Sequence, residues 1–232
     1  MKQIILGCIL TTLASAVLAD ANKTPNQVID ETAAAMASRL QGRKEYLTSH
    51  PDELYALIDE VLLPNFDTRY SGYLVLGKHW RTASEEQRSR FIDSFYNFLL
   101  RSYANGILEF DQDNIKVLPT RGEVPEKRTV VKTEMRLDDG TEIPVNYSLR
   151  ETDAGWKVYD VRIEGVSYVQ NYRNQFNAEI STNGLDAVIT RLERETVALE
   201  TAGPGEAAET AGAVETVETT GTSEEPAAPG DE

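Results

Sequence analysis

Two stretches of helical periodicity flank one stretch of two-residue alternation, and this order predicts the architecture of the chain. Val28, Thr32, Met36 and Leu40 recur at four-residue spacing behind Thr24-Pro25-Asn26-Gln27, a capping box with proline at the first helical position. A second helix begins at Pro51, carries Leu54, Leu57, Ile58, Val61 and Leu62 on one face, and is stopped by Pro64. After Phe66 a short helical piece runs through Leu74 to Leu76 and closes at Gly77. Ser84-Glu85-Glu86-Gln87 is a second capping box. It opens a long helix with the stripe Phe91, Phe95, Phe98, Leu99 and Tyr103, expected to end at Gly106.

The period then falls to two. Asn114–Leu118, Arg128–Leu137, Thr141–Arg150 and Trp156–Ile163 read as strands, with Asp138-Asp139-Gly140 as a hairpin turn between the second and third. In the third strand Ile143, Val145, Tyr147 and Leu149 alternate with Glu142, Asn146, Ser148 and Arg150, so one face is apolar and the other wet. Two helices follow, Ser167 to about Ile180 and Leu185 to about Leu199. Helices, an antiparallel meander and further helices make an α+β fold. Periodicity alone does not say whether the helix and sheet faces close on each other as an ordinary core or leave an apolar cavity between them.

The N-terminus reads as a secretory signal. Lys2 precedes an apolar run from Ile4 to Val17, and Val17-Leu18-Ala19 places small residues before a candidate cut, with polar sequence from Asp20. That run is shorter than the ~20 residues a membrane span requires, and no second run approaches that length. Leu6-Gly7-Cys8 resembles a lipoprotein site but leaves too little apolar sequence upstream. Cys8 is the only cysteine, so cleavage after Ala19 removes any disulfide, thiolate ligand or cysteine nucleophile. The segment from Glu200 to Glu232 holds nine acidic residues, no Lys or Arg, and few large apolar side chains. It is expected to be disordered, with an acidic interaction tail as the alternative. With that −9 and the +1 of Lys2 set aside from the chain's −15, residues 20–199 carry −7. The expected division is a signal peptide over 1–19, one α+β domain over 20–199 and a tail over 200–232. No basic run points to nucleic acid.

Catalytic signatures are few. The sequence has no G-x-S-x-G, Walker loop, dinucleotide G-x-G-x-x-G or H-E-x-x-H. Asp111 to Lys116 begins like a calcium loop but places Ile115 and Lys116 where a ligand and a glycine belong. His50 reads as a turn residue and His79 as structural. Asp160 lies among strand residues, where a carboxylate needs a partner. Arg81 or Arg88 would make it structural; an open pocket would make it a general base for a small-molecule enzyme on a cone-shaped fold.

Two stretches carry a resemblance. Gly77, Trp80 and Arg81, followed by Glu85, Glu86, Gln87, Arg88 and Phe91, form one pattern; Gly155 to Ser167 with Asn171 to Phe176 form another. In this order they resemble the MlaC family, also called the toluene-tolerance auxiliary family, over about Asn26 to Leu199. The resemblance implies helices wrapped around a twisted antiparallel sheet, a single domain with an internal apolar cavity. It implies a periplasmic phospholipid shuttle, not an enzyme, working as a monomer between an outer-membrane lipoprotein complex and an inner-membrane MCE-domain/ABC transporter complex. Phospholipid would be cargo, with no cofactor. Joined to the face assignments, it makes Phe66, Phe95, Leu99, Tyr103, Met135, Val145, Tyr147, Leu149, Val161, Ile163 and Val166 the expected lining.

Overall fold

A computed structural model of the chain describes residues 23–108, 114–119, 127–137 and 140–202. The signal sequence, the Asp111–Asp113 segment, Asp138, Asp139 and residues 203–232 lie outside the described residues. Helix α1 (Pro25–Leu40) starts where its capping box places it: Thr24 Oγ1 accepts from the Gln27 N–H, and Gln27 Oε1 accepts from the Thr24 N–H. Helix α2 (Lys44–Ser49) was not legible, since six residues are too few to show a period; it is held by Leu47, which is fully buried. Helix α3 (Pro51–Leu62) ends in a 3-10 turn, Leu63–Asn65, that contains Pro64.

Helix α4 (Thr68–Leu76) is capped by Asp67, whose Oδ1 accepts from the Tyr70 N–H at 2.9 Å. Gly77 closes it at φ +53°, and a Cβ there would lie 3.0 Å from Arg173 Nε, so both the backbone and the space favour glycine. Helix α5 (Glu85–Leu108) opens on the Ser84/Gln87 capping box. It runs past Gly106, the expected end. The ~1 kcal/mol that glycine costs in a helix is offset because Leu108 is buried and Ile107 packs against the same cluster.

Five antiparallel strands form one sheet in sequential order: β1 (Ile115–Val117), β2 (Arg128–Arg136), β3 (Glu142–Thr152), β4 (Gly155–Ile163) and β5 (Val166–Ser167). The four expected strands are present and β5 is an addition of two residues. The β2–β3 hairpin is confirmed by its pairing, closed by the Leu137 N–H donating to the Thr141 carbonyl and the Gly140 N–H to the Leu137 carbonyl. A bulge in β4 at Tyr159 pairs Ser148 with Asp160 but Leu149 with Val158. Helices α6 (Tyr168–Asn183) and α7 (Leu185–Ala202) complete the domain. The expected boundary at Leu199 moves outward: α7 continues through Ala202, and Glu200 accepts from Arg101 Nε at 2.8 Å.

The buried apolar side chains fall into three clusters. One joins α4, α5, α6 and α7 around Phe91, Phe95, Phe176 and Ile189. A second joins α1, α2, α3 and α5 around Leu40, Leu54, Ile58 and Leu100. The third packs Val28 and Ile29 of α1 on Val131, Leu149 and Val158 of the sheet. Each is fringed by apolar side chains that are only partly buried.

Candidate functional site

Strand register decides which side chains share a face. Met135 pairs with Ile143; Thr133, Val145 and Ile163 align across three strands, as do Val131, Tyr147 and Val161. These residues form one apolar face with no Lys or Arg among them. The other face carries Asn146 opposite Arg162, Ser148 opposite Asp160 and Arg150 opposite Lys157. The alternation read from β3 therefore holds in three dimensions.

The helices cover the apolar face unevenly. Helix α1 seals Val131, Leu149 and Val158, each with at most 1 % exposure. Further along, Met135, Ile143, Tyr147, Val161 and Ile163 keep accessible surface. Val145 is 3 % exposed yet belongs to none of the three clusters. On α5, Leu99 and Tyr103 are likewise only partly buried, one turn apart, and Tyr96 and Ile107 extend the same stripe. Tyr103 meets α6 edge-on at Tyr168, with ring centroids 5.5 Å apart, and its hydroxyl lies 3.4 Å from that of Tyr172.

Tyr147 stands out within this face. Burial pushes its phenol up to about 12, although its side chain still touches open space. Tyr96 offers the contrast, since its hydroxyl donates to Asp59 Oδ1 at 2.9 Å. Burial and that carboxylate hold the Tyr96 phenol well above its ordinary range.

Two of the expected lining residues sit elsewhere. Leu149, at 0 % exposure, is sealed beneath α1 and offers no surface to a ligand. Phe95 is spent inside the aromatic cluster, 5.0 Å from Tyr172 and 5.5 Å from Phe176. Val166 pairs with Ile163 and so keeps the register of the apolar face, but at the sheet edge it is 56 % exposed, beside an open groove lined by Asp160, Arg162 and Arg173. Phe66 bridges to Val158 at the sheet edge and packs against the third cluster. Ile107, packed against the second cluster, and Tyr168, against the first, border the same stripe and were not singled out from sequence. Ile107 continues the α5 stripe and could have been found had Gly106 not been read as its end.

The carboxylate of Asp160 is fully engaged. Its Oδ2 accepts from Ser167 Oγ at 2.8 Å and from Arg162 Nε at 3.4 Å, while Oδ1 accepts from the Val169 N–H at 3.1 Å. Ser167 is itself the N-cap of α6, accepting from the Gln170 N–H. Asp160 thus ties β4 to the start of α6, where a negative charge is favourable. Neither Arg81 nor Arg88 is its partner; Arg88 donates to the Trp80 carbonyl and stacks on that ring at 5.0 Å. Because half of the Arg162 side chain is exposed, water screens this ion pair and the cap carries most of the effect. Asp160→Ala should cost about 2 kcal/mol in a urea melt, and Asp160→Asn less, since an amide oxygen still accepts from Val169. Unchanged stability in Asp160→Ala would remove the capping role.

His79 is also structural, with Nε2 3.1 Å from Asn177 Oδ1. His50 stacks on Tyr46 with centroids 4.0 Å apart. Among the described residues no His, Cys, Asp and Glu cluster could hold a metal ion, and no helix is long and apolar enough to cross a membrane.

Both sequence patterns noted above are structural seams. Gly77 lies against Arg173, Trp80 is flanked by the guanidinium groups of Arg69 and Arg88, and Phe176 meets Phe91 edge-on at 5.7 Å. Comparison with known proteins agrees. The chain is 29% identical over 181 residues to the toluene tolerance protein Ttg2D of Pseudomonas putida, covering 78% of this chain and 84% of that one. It is 23% identical over 194 residues to the intermembrane phospholipid transport system binding protein MlaC of Haemophilus influenzae, covering 82% and 90%. A phospholipid-binding protein of Ralstonia solanacearum, solved in complex with a phospholipid, has the same fold: TM-score 0.70 at 22% identity over 77% of this chain and 99% of that one. The model of the MlaC protein family matches residues 30–194, and the chain belongs to that family.

Proposed function

We propose that this protein is a periplasmic carrier that holds a phospholipid by its acyl chains and moves it between membrane complexes. The observation that carries this reading is the apolar sheet face at Met135, Ile143, Tyr147, Val161 and Ile163, which fringes the third cluster and keeps accessible surface beyond the part sealed by α1. Acyl chains would lie along that face, with the Leu99–Tyr103 stripe of α5, Phe66, Met135 and Val145 as the rest of the wall. The relatives named above are a phospholipid transport binding protein and a toluene tolerance protein, which supports the same assignment.

A carrier of this kind answers a solubility problem. Each methylene exposed to water costs ~0.8 kcal/mol, so a free two-chain lipid crosses an aqueous compartment at negligible rate. An apolar lining removes that barrier without a cofactor or any reaction. Polar recognition inside such a lining would be costly, so headgroups should be accepted indiscriminately. The donor and acceptor would be an outer-membrane lipoprotein complex and an inner-membrane MCE-domain/ABC transporter, reached after export through the N-terminal signal. Against the enzyme alternative stands the engagement of Asp160, whose carboxylate accepts from Ser167 and Val169 at the α6 cap.

Solvent extraction of the protein purified from bacteria, followed by mass spectrometry, tests the reading. Phospholipids of mixed headgroup are expected at near-stoichiometric amounts. An extract free of phospholipid would overturn it.

A further inference from the structure

The Tyr147 hydroxyl has no hydrogen-bond partner among the described residues, while every sealed polar side-chain atom there has one. Its oxygen therefore opens onto space rather than being walled in. Across the strands its neighbours are Val131 and Val161, and along β3 on the same face they are Val145 and Leu149. Two threonines lie diagonal to it on this face: Thr133, whose hydroxyl spends its hydrogen on the Val145 carbonyl at 2.6 Å, and Thr129, opposite Leu149.

We infer that the Tyr147 hydroxyl donates a hydrogen bond to an ester carbonyl of the bound lipid, so that the carrier distinguishes acyl from alkyl chains. This rests on the carrier reading above. The chemistry follows by elimination. Hydrocarbon has no acceptor for a phenol. A phosphate here would be an unpaired charge facing valines, since no Lys or Arg shares this face. An ester carbonyl is neutral, accepts strongly, and lies where acyl chain meets glycerol. An ether oxygen at the same place accepts weakly. Burial, which keeps the phenol protonated far above neutral pH, leaves it able to donate wherever the protein works.

The test uses the full-length mature protein, stripped of lipid and reloaded from equimolar vesicles of diester and diether phosphatidylcholine with matched chains. Wild type should retain the diester about tenfold over the diether, the scale of one neutral hydrogen bond in an apolar site. Tyr147→Phe should load both equally while keeping the wild-type melting temperature. The ζ-¹³C resonance of Tyr147 in labelled protein should shift on loading diester and not diether. Equal loading of both lipids by wild type, or a preference that survives in Tyr147→Phe, overturns the inference and leaves the carrier intact. Loading of neither lipid by wild type overturns the carrier reading itself.

Discussion

Replacing Val145 with arginine should yield a folded protein almost devoid of phospholipid. Val145 is aligned with Thr133 and Ile163 at the centre of the apolar face. It is buried but belongs to none of the packed clusters. Beside an acyl-chain space, the long side chain has room and its guanidinium can reach toward water. The three-carbon stem displaces a similar length of lipid chain, about 2 kcal/mol of burial, which lowers occupancy more than tenfold. In a solid core the same change would overpack the site and strand a charge, and the protein would not fold. Circular dichroism reads the fold and phosphate analysis the lipid. An unfolded product removes Val145 from the lining. A folded product with full lipid content would place the side chain away from the cargo.

Phe176→Ala should have the largest effect on stability, about 3–5 kcal/mol. Its ring is 1 % exposed. It meets Phe91 and Phe95 edge-on at 5.7 and 5.5 Å, and the Arg191 guanidinium lies over it at 5.7 Å. Truncation leaves a hole that three helices share, which limits how far any one of them can relax. For a domain of this size the melting temperature should fall by roughly 10 °C. Leu99 and Tyr168 pack against this same cluster, so the α5 wall should shift and the folded fraction should hold less lipid than wild type. A loss below about 1 kcal/mol would mean that the helices close over the gap.

Local chemistry was the part of this fold that sequence could express. Both capping boxes, the Gly77 stop and the two faces of β3 follow from residues within a few positions of one another, and all are present. What failed depended on distant chain. Leu149 and Tyr147 look equivalent in the alternation, but α1 arrives from more than a hundred residues upstream to seal one and leave the other partly open. The bulge at Tyr159 inserts a residue that shifts the phase of β4, so Val158 and Val161 share a face despite odd spacing. Asp160 found its partners in the next turn and helix start, not in the arginines of the first motif. Val166 keeps the inward register through its pairing with Ile163, but β5 is only two residues long and leaves the valine exposed at the sheet edge.

Three clusters that do not merge also have a volumetric consequence. Unfolding removes internal voids, so the more unfilled volume a native state encloses, the more readily hydrostatic pressure unfolds it. If acyl chains lie along the apolar face of the sheet, loaded and empty protein differ in that volume far more than in backbone structure. Pressure should therefore unfold the stripped protein at a clearly lower midpoint than the loaded one, beyond what their thermal melts suggest. Equal midpoints would show that the clusters collapse onto one another when cargo leaves, and that the carrier travels one way filled and the other way shut.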